Sequence, residues 1–381
     1  MPAIRVTYRG NHQLEMITPK GIERLKIRSG WPENKGEFPD FFLTQFGLMH
    51  LIAARLPDTV AVDFPVNNQT EKLVAAMYRS ENRKPPHIIG PRTRIPPQLP
   101  DFPTTSSRAL ITYSGGKDSM YNLARTQDEL SPKNVQALHI AGLNRSNASD
   151  ERKASLRQSE ELDFHLDVID LLNSSKNSGY EVMRSRDIFF IALAAPIALM
   201  NGASRIFIEG FTEETLDEPF TGKEESMRML NNIFRQWSVP LEVAWYDYEE
   251  VEAIGHLLIH RPGWLTLVQN CFCIPVYKPS QRKRLLQNLP TFHLLDSQCG
   301  VCMKCRMTNL ARILYAKHDP TMRKVSSADI SRYIASTVRW AVENHEKLAD
   351  YIDGSFLKYL RIATQKFAPE SLAKLSTLMY G

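Results

Sequence analysis

The residues with the clearest capacity for chemistry stand together in the run Arg108-Ala-Leu-Ile-Thr-Tyr-Ser-Gly-Gly-Lys-Asp-Ser-Met-Tyr-Asn-Leu-Ala-Arg125. Two adjacent glycines, Gly115 and Gly116, let the backbone turn tightly and come close to a ligand. Ser114 and Ser119 add hydroxyl donors, Lys117 adds a positive charge, and Asp118 adds a carboxylate that can cap a helix or hold a magnesium ion. Such a set suits phosphate, because the N–H groups at a helix start and a nearby cation both favour an anion. A Walker-type loop needs Gly, four residues, then Gly-Lys-Ser/Thr, and this run lacks that spacing. A second group lies downstream: Cys299-Gly-Val-Cys302-Met-Lys-Cys305, with Cys271 or Cys273 able to supply a fourth thiol. Four thiolates suit a tetrahedral structural zinc (Zn2+), and an iron–sulfur cluster uses similar triplets.

Elements must position these groups. Leu110 to Tyr113 read as a buried strand and Met120 to Leu130 carry apolar residues at helical spacing, so Ser114 to Ser119 form the turn between them. Strand and helix then alternate. Val135 to Ile140, Leu166 to Ile169, Arg205 to Glu209 and Leu241 to Trp245 read as strands. Glu151 to Phe164, Ile188 to Met200, Lys223 to Trp237 and Glu249 to Ile259 read as helices. This alternation predicts an α/β fold with a doubly wound parallel sheet, whose ligands sit at the carboxyl ends of the strands. Residues 1–84 mix short strands and helices as an N-terminal accessory region. Residues 85–103 hold seven prolines in nineteen positions and read as an extended linker. The main domain is expected over 104–320, with the cysteine knuckle at 271–305, and a helical C-terminal extension over 321–381, suited to packing or dimerisation.

The 381 residues carry a formal charge of +5 and are 43% hydrophobic, an ordinary globular balance that permits an anionic partner without demanding one. The longest apolar run, Ile188 to Met200, is too short to span a bilayer and contains Pro196. No apolar signal core opens the chain, so a soluble cytoplasmic protein without membrane association is expected. All five cysteines fall between Cys271 and Cys305, which in a reducing compartment favours metal over disulfides.

Ser114-Gly-Gly-Lys-Asp-Ser119 resembles the SGGxDS pyrophosphate loop of the PP-loop, or N-type ATP pyrophosphatase, superfamily. Together with the cysteine cluster, the chain over about residues 108–320 is similar to the 7-cyano-7-deazaguanine synthases of queuosine precursor biosynthesis. Met183-Arg-Ser-Arg-Asp-Ile188 falls on that family's Gly-Arg-Asn turn, which puts Arg186 on its arginine. Ile206-Phe-Ile-Glu-Gly210 falls on the strand before its substrate loop. Asn270-Cys-Phe272 and Cys299 to Arg306 fall on its zinc ligands, so the resemblance prefers Cys271 to Cys273 beside Cys299, Cys302 and Cys305. The resemblance implies a Rossmann-like, adenine nucleotide alpha hydrolase-like fold with a zinc-knuckle insertion. It implies a ligase that forms a C–N bond while cleaving ATP to AMP and pyrophosphate with Mg2+. Ser114 to Ser119 would hold the nucleotide, with Lys117, Asp118 and Arg186 as catalytic residues. Arg186, Glu209, Glu214 and Asp217 would face a deazaguanine-like acid, 7-carboxy-7-deazaguanine in the family.

The departures fall on the substrate side. Thr215 to Gly222 replaces the family's Asp-x-Ser-Gly-Tyr-Pro-Asp-Cys-Arg loop, Tyr248 stands where a lysine follows Trp-x-Asp, with Lys278 as a substitute cation, and Gly142 to Asn147 lacks Tyr-Gly-Gln. Divergent members with extra N-terminal sequence are associated with bacterial anti-phage (antiviral) defence, where the expected acceptor is a protein amine instead of ammonia. The unmatched ends of this chain are similar to that branch, which implies a protein acceptor or defence-system partner in a homodimer or hetero-complex. Two rivals stand beside this reading: a PP-loop tRNA-thiolating enzyme, and a nucleotide-binding regulatory subunit without turnover. Lys278 to Arg284, with Lys304, Arg306, Arg312 and Lys317, offers a basic patch, but it lacks interleaved aromatics and reads as a solvated face rather than a nucleic-acid site.

Overall fold

The computed structural model describes residues 4–32, 36–102, 104–142, 148–174, 183–210, 220–268, 302–344 and 354–380. Its strands are β1 (Ile4–Tyr8), β2 (Gln13–Thr18), β3 (Gly21–Ser29), β4 (Thr59–Val62), β5 (Val66–Asn67), β6 (His87–Ile89), β7 (Arg92–Thr93), β8 (Thr105–Thr112), β9 (Val135–Ala141), β10 (Leu166–Asn173), β11 (Ala203–Phe207) and β12 (Glu242–Ala244). Ten of them form one sheet in the order β12-β11-β8-β9-β10-β3-β2-β1-β4-β6. From β12 to β10 every pair is parallel, as are β1–β4 and β4–β6. The pairs β10–β3, β3–β2 and β2–β1 are antiparallel. The protein is thus α/β with a large, mostly parallel central sheet. The expected strands are present, with β9 and β10 running on to Ala141 and Asn173.

The chain divides into two compact units, Met1–Ser114 with Arg125–Tyr246, and Gly115–Ala124 with Asp247–Gly381. The whole sheet belongs to the first. Strands of the N-terminal region are hydrogen-bonded into that sheet through β3, which pairs with β10 at Lys26 and Leu172. Two helices that are apolar nearly all round lie within this unit, as such sequences require. In Phe38–Ala53 every residue but Asp40 is buried, and in Arg186–Met200 the run Ile191–Leu199 is. The two pack against each other, and the second also packs on β8 and β11. Phe41 and Phe42 meet Trp237 edge-on at 5.0 and 5.7 Å, the arrangement aromatic quadrupoles favour.

In the second unit Glu250–His260 packs on Met303–Leu314, and Ser327–Asn344 packs on Gly354–Phe367. Arg312 and Asp319 form a buried ion pair at 2.8 Å, and Arg312 also donates to Asn309 and Thr321. Its donors are therefore consumed by structure. No helix among the described residues is long and apolar enough to cross a membrane.

Candidate functional site

Strand β8 is central because Ala109, Leu110 and Ile111 are buried between parallel neighbours β9 and β11. The glycine turn follows at its carboxyl end. Gly115 has φ +78°, a left-handed conformation that glycine adopts without penalty. The following helix begins at Lys117, not at Met120 as periodicity alone suggests. The Met120 N–H donates to the Gly116 carbonyl at 3.1 Å, as does the Ser119 hydroxyl, and Asp118 in the first turn complements the helix dipole. Lys117, Asp118 and Ser119 are thus the opening turn of a helix.

Within the second unit, Lys117 is buried and its Nζ bridges two carboxylates. It lies 2.7 Å from Asp118 Oδ2 and 2.8 Å from Glu250 Oε1. Burial pushes the Lys117 pKa down, but the charges of Asp118 and Glu250 outweigh it and hold the ammonium above the ordinary lysine range. Asp118 is raised by burial, yet the charges of Lys117 and Lys304 and hydrogen bonds from Lys117 and Tyr248 leave it below the usual carboxylate range. Tyr248, at the position where the resemblance expects lysine, donates its hydroxyl to Asp118 Oδ1 at 3.0 Å. Its ring packs on Tyr121 at 4.5 Å, and Tyr121 meets His256 edge-on at 5.3 Å. Glu250 Oε2 is buried with no hydrogen-bond partner among the described residues. Two converging carboxylates, one with an open lone pair, form a donor set suited to a hard cation such as magnesium.

Within the first unit, the Tyr113 carbonyl, one residue before Ser114, accepts a hydrogen bond from His139 Nδ1 at 2.9 Å. A carbonyl only accepts, so the proton sits on Nδ1, and burial lowers the His139 pKa to keep the ring neutral. Arg186 opens the buried helix and its Nε donates to Asp187 Oδ1 at 2.7 Å. Burial pushes the arginine down, but the charges of Asp187, Glu209 and Glu151 raise it overall. Arg186 and Glu209, paired in the sequence reading, therefore share one electrostatic environment. The Thr221 hydroxyl accepts from the N–H groups of Asp187 and Ile188 at 3.0 and 3.1 Å, capping that helix. Ser185, just before Arg186, is held at 2.9 Å by His50 Nδ1 from the N-terminal region.

Cys302 stands at the N-cap of Met303–Leu314, in extended backbone, and Cys305, buried, lies in the first turn of that helix. Glu214, Asp217, Cys271, Cys273, Cys299 and Lys278 lie outside the described residues. Sequence reasoning missed Glu250, Tyr121 and His139, and placed Lys304 in a basic patch without its influence on Asp118. Glu250 carries no motif and sits over a hundred residues downstream; its one signal is its place at the start of a helix that follows a strand of the sheet. No protein-family model matches this chain, and no curated protein matches it.

Proposed function

We propose that the protein is an ATP-dependent adenylating ligase of the PP-loop type, similar to the 7-cyano-7-deazaguanine synthases, acting on a carboxylate such as 7-carboxy-7-deazaguanine. The observation that carries this reading is the placement of Ser114-Gly-Gly-Lys-Asp-Ser119: a left-handed glycine at the carboxyl end of a central parallel strand, opening a helix that begins with a lysine and an ionised aspartate. In the proposed reaction a carboxylate oxygen attacks the α-phosphorus of ATP and the bond to the β-phosphate oxygen breaks. Pyrophosphate leaves with that electron pair. An amine then attacks the activated carbonyl, AMP departs, and the amine loses a proton.

The helix N-terminus and Lys117 favour the negative charge that develops on the leaving pyrophosphate. Asp118 and Glu250 would hold magnesium, which when bound neutralises phosphate charge. Arg186 offers a planar fork for the substrate carboxylate or a phosphate. Cys302 and Cys305 would supply half of a zinc ligand set with Cys271 and Cys299, a brace for the chain around them. Whether ammonia or a protein amine accepts the acyl group follows from the partner supplied.

A nucleotide-binding subunit without turnover is the second reading, favoured by tyrosine at position 248. Exchange of radiolabelled pyrophosphate into ATP separates the two. Acid-dependent exchange is expected for the ligase, whereas ATP binding with no exchange in the presence of any deazaguanine acid speaks for the regulatory subunit, and exchange that requires tRNA speaks for a thiolating enzyme.

A further inference from the structure

The helix Phe38–Ala53 of the N-terminal region is mostly apolar, yet it buries a histidine, His50, which is 1% exposed. A buried polar ring costs stability unless its hydrogen bonds are made. Here both nitrogens are met. The Asn173 amide nitrogen lies 3.4 Å from Nε2, and the Ser185 hydroxyl lies 2.9 Å from Nδ1. An amide nitrogen only donates, so Nε2 accepts and the proton sits on Nδ1, which donates to Ser185. Phe189, one turn beyond Ser185, stacks on the imidazole at 4.7 Å and 9°.

The consequence falls on Arg186. Ser185 occupies the N-cap of Arg186–Met200, where a serine ordinarily caps the helix with its own hydroxyl, but its side chain makes no such bond. Thr221 caps the helix instead, and the Ser185 hydroxyl is turned to His50. Arg184 is tied to the same region: its Nε meets Glu81 Oε1 at 3.1 Å, and its Nη1 donates to the carbonyl of Ala53, the last residue of the His50 helix, at 3.3 Å. Arg186 follows directly. Its Nε donates to Asp187, and among the described residues nothing accepts from its two Nη groups. The side chain is 30% exposed, so that fork is accessible. Asn173 closes β10, a strand parallel to β9, which puts this arrangement at the carboxyl edge of the parallel strands, where α/β ligands bind.

We infer that His50 and Glu81 are positioning residues for Arg186. The N-terminal region grips the two residues before the arginine and so fixes where its Nη fork stands to receive the carboxylate of the acid. Burial keeps the His50 ring neutral at pH 7, so it adds no charge beside the guanidinium and acts by geometry. The identity of the anion rests on the ligase reading; the grip itself concerns Arg186 alone.

The test compares His50→Leu with His50→Asn in the full-length protein. Leucine fills the space without a donor, whereas the asparagine amide nitrogen stands where Nδ1 stood. In acid-dependent pyrophosphate exchange with 7-carboxy-7-deazaguanine, His50→Leu is expected to raise KM for the acid about tenfold and to leave KM for ATP within about twofold. His50→Asn should bring the acid KM back to within about threefold of the parent. A second readout needs no substrate: the Arg186 Nε–H resonance, assigned by its loss in Arg186→Lys, should shift or broaden in His50→Leu and return in His50→Asn. Should His50→Leu fail to fold, Glu81→Ala, which removes the carboxylate from Arg184, is expected to raise the acid KM about threefold and to move the same resonance. A parent protein without exchange counts against the ligase reading, and the resonance alone then decides the inference. A resonance and an acid KM unchanged in folded His50→Leu overturn it, as does an equal loss in His50→Leu and His50→Asn, which marks a histidine needed for packing only.

Discussion

A buried ammonium shared by two carboxylates tolerates little change. Lys117→Met leaves Asp118 and Glu250 facing each other with no cation between them, and breaking such a pair from one side costs about 3 kcal/mol. The urea midpoint should fall accordingly, and nucleotide binding should be lost with it. His50 makes a second residue-scale prediction. Burial lowers its pKa from 6.5 to about 4. The folded value is depressed, so the unfolded chain binds the proton first as pH falls. Its contribution is fully present above pH 6.5 and lost as pH falls through 4, a change of about 3 kcal/mol. Urea midpoints measured from pH 7 to pH 4 should show this slope, and His50→Asn should flatten it. The Ser114–Ser119 turn was legible because its residues are adjacent in sequence. Glu250 and the hydrogen bond from Tyr248 to Asp118 were not, because only the folded chain brings these groups together.

Glycine after a strand decides how closely two elements approach. Gly142 follows β9 with φ +93°, and a Cβ built there would lie 1.9 Å from the Leu171 carbonyl oxygen of β10. Backbone cannot yield as a side-chain tip can. Gly142→Ala is therefore expected to cost about 3 kcal/mol, near the upper end for one substitution, read as a lower melting temperature. The alternation of strand and helix that predicted β9, β10 and β11 rests on short apolar runs whose Leu138, Ile169 and Ile206 are buried in the core, and the apolar character of Arg186–Met200 reflects a helix enclosed on all sides. Both are properties of the local sequence. The early helix start at Lys117 depended on Asp118 and Ser119, polar residues that periodicity ignores. The pairing of β3 with β10 joins residues about 150 positions apart and leaves no local trace.

At the scale of the molecule, the N-terminal region supplies five strands of the main sheet and a helix that packs on Arg186–Met200. A chain beginning at Thr104 would expose the edge of β10 and the apolar surface of that helix. Such a truncation is expected to aggregate rather than fold, which its sedimentation profile would report. In the proposed function the turn after β8 grips ATP for cleavage between its α and β phosphates. The most direct measurement of this is the nucleotide product formed by the full-length protein with magnesium, ATP and 7-carboxy-7-deazaguanine. AMP and pyrophosphate in equal amounts, dependent on the acid and lost in Asp118→Asn, is the predicted result; ADP and phosphate, or no nucleotide turnover and no ATP binding, would contradict it.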